Sequence, residues 1–224
     1  ALYPPLSLEH PGAAWSTLYT VTPSAINSWI GEEIRPIALE APWLADVGSS
    51  DRLSFTIAAF SHNDPAGAAL GFRGWALHDY QLKLGDVIRH QADVPAAIGT
   101  TFGFGNAFKE LDGTPGLYGK ASFKTGGLLV EAFGYHNLAD TARLDHAAFG
   151  HDYAWRTWFG HLGVQFQSPS GLTLAAQGMF GRTMMVSTAV VFNQFAAAYL
   201  LASYSWRSHR TSLRFDLFKV TDKD

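Results

Sequence analysis

Ser61 and His62 stand side by side in this chain of 224 residues. A serine hydroxyl within reach of an imidazole is the beginning of a nucleophilic hydrolase. The surrounding run, RLSFTIAAFS over 52–61, alternates apolar and polar residues and reads as a β-strand. Neighbours on a strand point to opposite faces, so the pair is not expected to share a proton. No G-x-S-x-G elbow is present either, and the chain is read as a non-enzyme. Nine histidines are scattered through the sequence without an HExxH or an i, i+4 pair, so no metal is expected. Cysteine is absent, which removes thiolate catalysis, Cys-based zinc sites and disulfides together. HNDPAG (62–67) has too few oxygen ligands for a calcium loop and reads as a turn. The glycines of TFGFGN (101–106) precede no helix, so they cradle no phosphate, and no cofactor is expected. Glu32, Glu33 and Arg35 cluster at one strand end and are expected to be solvated rim charges.

The elements that would position any site are strands. Ten strand-like segments are predicted: 27–43, 52–61, 68–78, 81–90, 116–124, 128–137, 155–167, 172–182, 195–206 and 211–220. The uncharged run from Met184 to Trp206 is long enough for a membrane helix. Its Asn193, Gln194 and β-branched residues favour a strand instead. Short connections such as TGG, SPSG and RSHR alternate with longer ones at 91–115, 138–154 and 183–194. A membrane meander does this, with short turns on the periplasmic side and long loops outside.

Composition points the same way. Charged residues are 16% of the chain, against about 25% in typical soluble domains. Aromatics make up 14%, there are 22 glycines, and mean hydropathy is close to zero. A wall with one face in lipid and one in water averages out in this way. Net charge is −3 with no polybasic run, which argues against a nucleic-acid partner. The first residues lack a basic start and an apolar core, and the chain stops at VTDKD rather than on an aromatic strand end. It is therefore read as one domain, 1–224, or an interior portion of a longer one.

With apolar faces outward, the pore-lining candidates are Arg52, Arg73, Lys83, Arg89, Lys120, Lys124 and Arg214, with Glu40, Glu131, Asp216 and His161. Basic rings in a pore favour anions, so an anion preference is expected unless these residues form shape-fixing salt bridges. The loop 91–115 is expected to fold inward as a constriction. Trp29, Trp43, Tyr135, Trp155, Tyr204 and Trp206 lie near predicted strand ends and are expected to form aromatic girdles.

Four stretches carry a family likeness: PSAINSWIGEEIRPIALE (23–40), DPAGAALGFRGWALHD (64–79), FKELDGTPGLYGKASF (108–123) and YAWRTWFGHLGVQFQSPSGLTLAAQGM (153–179). They resemble porin-like outer-membrane proteins of Proteobacteria, broadly the phosphate-selective porin O/P group. The resemblance implies a longer barrel with more strands, often assembled as trimers. That group carries an Arg/Lys ladder along the pore which cannot be matched here, so phosphate selectivity is not carried over. The fold expected is an all-β, antiparallel, up-and-down transmembrane barrel in a bacterial outer membrane. The function expected is passive diffusion of small hydrophilic solutes, with membrane lipid around the wall. The alternative is a soluble or periplasmic β-barrel carrying an apolar ligand, which would turn the greasy faces inward.

Overall fold

The computed structural model describes residues 7–9, 18–77, 86, 106–147, 150–185 and 191–223. Eight strands form one antiparallel sheet in chain order: β1 (Ile37–Asp46), β2 (Asp51–Ser61), β3 (Gly116–Thr125), β4 (Leu128–His136), β7 (Trp155–Gln167), β8 (Leu172–Met185), β9 (Val191–Trp206) and β10 (His209–Asp222). A separate hairpin, β5 (Leu144–Ala147) with β6 (Gly150–Tyr153), sits within the β4–β7 connection. Each strand of the large sheet pairs with the next in sequence, as an up-and-down meander requires. Among the described residues β1 and β10 do not pair with each other, so the sheet is open and no closed barrel forms.

Register makes the two faces consistent from strand to strand. Ile57 lies opposite Gly119, Val130 opposite Val164, Ala176 opposite Leu200, and Leu200 opposite Phe215. Because side chains alternate, these residues share one face of the sheet. The other face curls around a helix, α1 (Ala25–Glu33), every residue of which is buried. One cluster joins Ile26, Trp29 and Ile30 of α1 to Phe60, Phe133, Phe159 and Phe195 from β2, β4, β7 and β9. We call the helix side the inner face.

The strand expected over 27–43 is therefore a helix followed by a strand. Ser24 caps the helix through its side chain, which accepts from the backbone N–H of Asn27. Ile26, Trp29 and Ile30 fall at i, i+3 and i+4, a stripe that meets the sheet. Arg35 ends it, its guanidinium donating to the carbonyls of Gly31, Ile30 and Ile34. Pro36 then holds the chain extended into β1. The strand expected over 68–78 is likewise corrected: residues Ala68–Arg73 form a short helix, α2, entered through Gly67 at φ 108. A Cβ at Gly67 would lie 1.9 Å from the Thr183 hydroxyl oxygen, so only glycine fits that corner. The expected strand 81–90 lies outside the described residues.

The remaining segments match their expected strands, with β8, β9 and β10 running a few residues further. The Met184–Trp206 run takes in the last two residues of β8 and the whole of β9, and no helix among the described residues is long and apolar enough to cross a membrane. The girdle reading is corrected for half of its members. Trp29 is on α1, Tyr135 points inward to donate to Asn63, and Trp155 is buried against α2. Trp43, Tyr204 and Trp206 stay exposed on the outer face beside short turns.

Candidate functional site

The inner face carries a polar band at mid-height. Cross-strand register sets Ser122, Glu131, Gly163, Gln177, Tyr199 and Asp216 in one row over β3 to β10, with Lys120 and His161 in the row beside it. Lys120 Nζ lies 2.9 Å from Glu131. His161 stacks on Phe133 at 5.0 Å. Gln177 accepts from the Ser7 hydroxyl and from the Leu8 N–H, so residues 7–9 lie against this row. Among the described residues, one oxygen of Glu131, the amide nitrogen of Gln177 and the hydroxyl of Tyr199 are buried without a hydrogen-bond partner.

Arg214 fixes the entry to α1. Its guanidinium contacts Asp216 at 2.7 Å and Glu9 at 3.4 Å. It also donates to the carbonyls of Thr22 and Pro23 just ahead of the helix. Asp216 in turn accepts from the Ala25 N–H, and Glu9 from the Ser24 N–H. Carboxylates at a helix N-terminus meet its unpaired N–H groups and the positive end of its dipole.

The other end of α1 is held by Glu33. Its carboxylate accepts from the Trp29 indole (3.0 Å) and from the N–H groups of Gly67 (2.6 Å) and Leu70 (2.8 Å) at the start of α2. Glu32 pairs with Arg73 of α2. The solvated-rim expectation for Glu32, Glu33 and Arg35 is therefore corrected: all three are buried, because they stitch two helices together under the sheet. Arg73 is corrected with them; it lies on α2 and points to Glu32 rather than along a strand.

Burial pushes the Glu33 carboxyl up to about 7, and the neighbouring Glu32 adds to the rise. The folded chain then holds this proton more tightly than the unfolded chain, whose carboxyl titrates near 4.5. That contribution is complete below the unfolded value and is lost as pH rises through about 7. At about 1.36 kcal/mol per unit it amounts to at most roughly 3 kcal/mol. Asp64, also pushed up to about 7 by burial, acts in the same direction. Thermal unfolding between about pH 5 and 8 is therefore expected to show Tm falling as pH rises, and Glu33→Gln to flatten the slope. An equally steep slope in that variant would contradict the assignment.

The expected pore cations do not form a free basic ring. Arg52 is exposed and pairs with Asp46 at 2.9 Å beside the first short turn. Lys124 is exposed near the next turn. Lys120 and Arg214 are tied to carboxylates, and Glu40 accepts from the Tyr118 hydroxyl. Lys83 and Arg89 lie outside the described residues, as does most of the loop 91–115. Lys120, Glu131 and His161 are brought together, as are Arg214 and Asp216. The sequence candidates did not include Glu9, Gln177 or Tyr199, although strand alternation puts Gln177 on the same hydrated face as His161.

Two loop features depart from expectation. Ser61 and His62 do share a hydrogen bond, because His62 leaves the strand at φ 67 and its ring turns back to the serine hydroxyl. Asp64, Glu110 and Asp112 gather oxygen atoms within 4.8 Å of one another. Each already accepts backbone N–H groups: Leu111 to Asp64, His62 and Gly113 to Glu110, Thr114 and Asp140 to Asp112. These bonds account for the cluster as a loop staple.

The outer face is the reverse of the inner one. Leu39 is 83% exposed and Leu213 77%, and Phe55, Ile57, Leu162, Leu174 and Phe180 are exposed with them. Between its two rims this face holds Leu, Ile, Val, Phe, Ala and Gly, and no charged residue on any of the eight strands. Small residues open shallow grooves in it; one of about 550 Å³ is lined by Leu162, Gly178, Ala198, Leu200, Phe215 and Leu217. Searches of protein-family models, of curated proteins and of solved structures each found no match to this chain.

Proposed function

We propose that this chain is barrel wall in a bacterial outer membrane, and that small hydrophilic solutes diffuse along its inner face. The supporting observation is the uncharged, exposed apolar face running across all eight strands. In water such a surface far exceeds the patches that monomeric proteins expose. In hydrocarbon it is what a strand wall requires, and Trp43, Tyr204 and Trp206 mark one boundary. A carrier of an apolar ligand would instead hide these residues and expose the polar band.

The edges of the sheet add a requirement. Backbone N–H and C=O groups cannot stay unpaired in hydrocarbon. The free edges of β1 and β10 therefore close on each other or on further strands in the membrane. The inner band narrows the bore, with α1 and residues 7–9 against the wall. Its cations are paired with carboxylates, so selectivity comes from width and hydrogen bonding more than from charge.

Vesicles carrying the folded chain are expected to admit small sugars at rates that fall steadily with solute size and do not saturate. Reversal potentials across a salt gradient are expected near zero. Tight vesicles would contradict the diffusion reading, and a strong anion preference would contradict the role given to the ion pairs.

A further inference from the structure

Fixed positive charge on the outer face is confined to one rim. Arg156, Arg182 and Lys219 occupy outward positions on β7, β8 and β10, at the end of the sheet where the longer connections lie. Among the described residues no carboxylate pairs with any of the three, and no outward strand position at that rim is acidic. At the opposite rim the outward strand positions, which include Trp43, Tyr204, Trp206 and His209, hold no lysine or arginine.

The three cations are organised rather than scattered. Arg156 donates to the Ala139 carbonyl at 3.0 Å. The Arg182 guanidinium lies 5.0 Å over the Trp158 ring, its cross-strand neighbour. Arg182 and Lys219 line a cleft of about 380 Å³ with Trp158, Phe180, Gln194 and Thr221. Two residues further along β8, β9 and β10, from Phe180, Ala196 and Lys219, the apolar groove begins at Gly178, Ala198 and Leu217. A cationic, aromatic-backed cleft above an apolar groove matches a molecule with an anionic head and hydrocarbon tails. Arginine forks suit phosphate oxygens in particular, and basic pockets at membrane depth bind lipid head groups.

We infer that this rim binds the phosphate headgroup of an anionic membrane lipid, with its acyl chains laid in the outer groove. The inference rests on the membrane reading above. It also fixes the long-connection rim as the one facing anionic head groups.

Native mass spectrometry of the full chain in a neutral detergent, offered equimolar phosphatidylglycerol and phosphatidylcholine, tests it. Wild type is expected to retain phosphatidylglycerol at least tenfold over phosphatidylcholine. The triple change Arg156→Gln, Arg182→Gln and Lys219→Gln should bring the ratio close to one. Arg156→Lys with Arg182→Lys should keep most of the preference, which separates charge from folding damage. A wild-type ratio near one, or an undiminished ratio in the glutamine variant, overturns the assignment while leaving the membrane reading intact if the chain still folds into phosphatidylcholine discs. A chain that enters discs of neither lipid overturns both.

Discussion

Leu200→Arg is expected to lower the yield of chain folded into phospholipid vesicles roughly 30- to 700-fold. Leu200 sits midway along β9 on the outer face, 62% exposed, between Ala198 and Ala202 and opposite Phe215. An arginine on the lipid side of a barrel wall costs about 2–4 kcal/mol at the bilayer midplane. Each tenfold corresponds to about 1.4 kcal/mol, which gives the range stated. The same change in water would be a surface substitution, within about 0.5 kcal/mol of neutral. Depth provides the internal control. Tyr204→Arg, on the same face of the same strand but beside the short turn, is expected to cost only about 0–1 kcal/mol. Folding yield in vesicles, scored by protease protection, therefore separates the two environments. Equal yields for Leu200→Arg and wild type would place that face in water.

Trp29→Ala is expected to release α1 from the inner face. Trp29 is buried, with its ring 5.1 Å from Phe159, 4.8 Å from Phe195 and 5.8 Å from Trp75, and its indole N–H is held by Glu33. Truncating a buried tryptophan costs about 3–5 kcal/mol. The loss leaves the helix with Ile26 and Ile30 as its apolar anchors and polar ties at its ends, Arg214 and Asp216 at one and Glu33 at the other. Residues 18–36 should then become protease-sensitive while the sheet persists, because the strand ladder does not depend on this ring. If α1 narrows the bore, sugar flux into vesicles rises severalfold with the same substitution. Trp29→Phe should keep most of the packing and give a smaller change. Protease sensitivity without any change in flux would remove α1 from the solute path.

Much of the sheet was legible from alternation alone. The segment 155–167 coincides with β7, and β2, β3 and β4 differ from expectation by a residue or less at each end. TGG, SPSG and RSHR marked three hairpins, and with them the parity that sends Leu162, Leu174 and Leu213 outward and His161, Gln177 and Arg214 inward. The helices were hidden for two different reasons. In α1 the apolar residues are Ile and Trp, types that favour strands, so their i, i+3, i+4 spacing was outweighed. The serine cap after Thr22 and Pro23 was the available signal. In α2 no local signal exists. AALGFR is short, and its first N–H groups are satisfied by Glu33, far earlier in the chain.

The site was legible in part for the same reason. Lys120 with Glu131 and Arg214 with Asp216 follow from hairpin register and same-face spacing. Glu9, the inward turn of Glu32 and Glu33, and the Arg73 partner depend on segments folding under the sheet, which alternation does not encode. The anion preference read from residue counts weakened for this reason: partners for four of the five described candidate cations came into view only with the tertiary structure.

The claim beneath all of this is that the apolar face meets hydrocarbon. Because the chain has no native cysteine, single cysteines can be placed at each position from 196 to 204 of β9 and spin-labelled. In reconstituted vesicles, collision with oxygen, which partitions into lipid, should peak at the outward positions, highest at 200, and drop at 197, 199, 201 and 203. Collision with an aqueous nickel chelate should stay low at those outward positions. High nickel accessibility at 198, 200 and 202, with no oxygen maximum between the rims, would contradict the account.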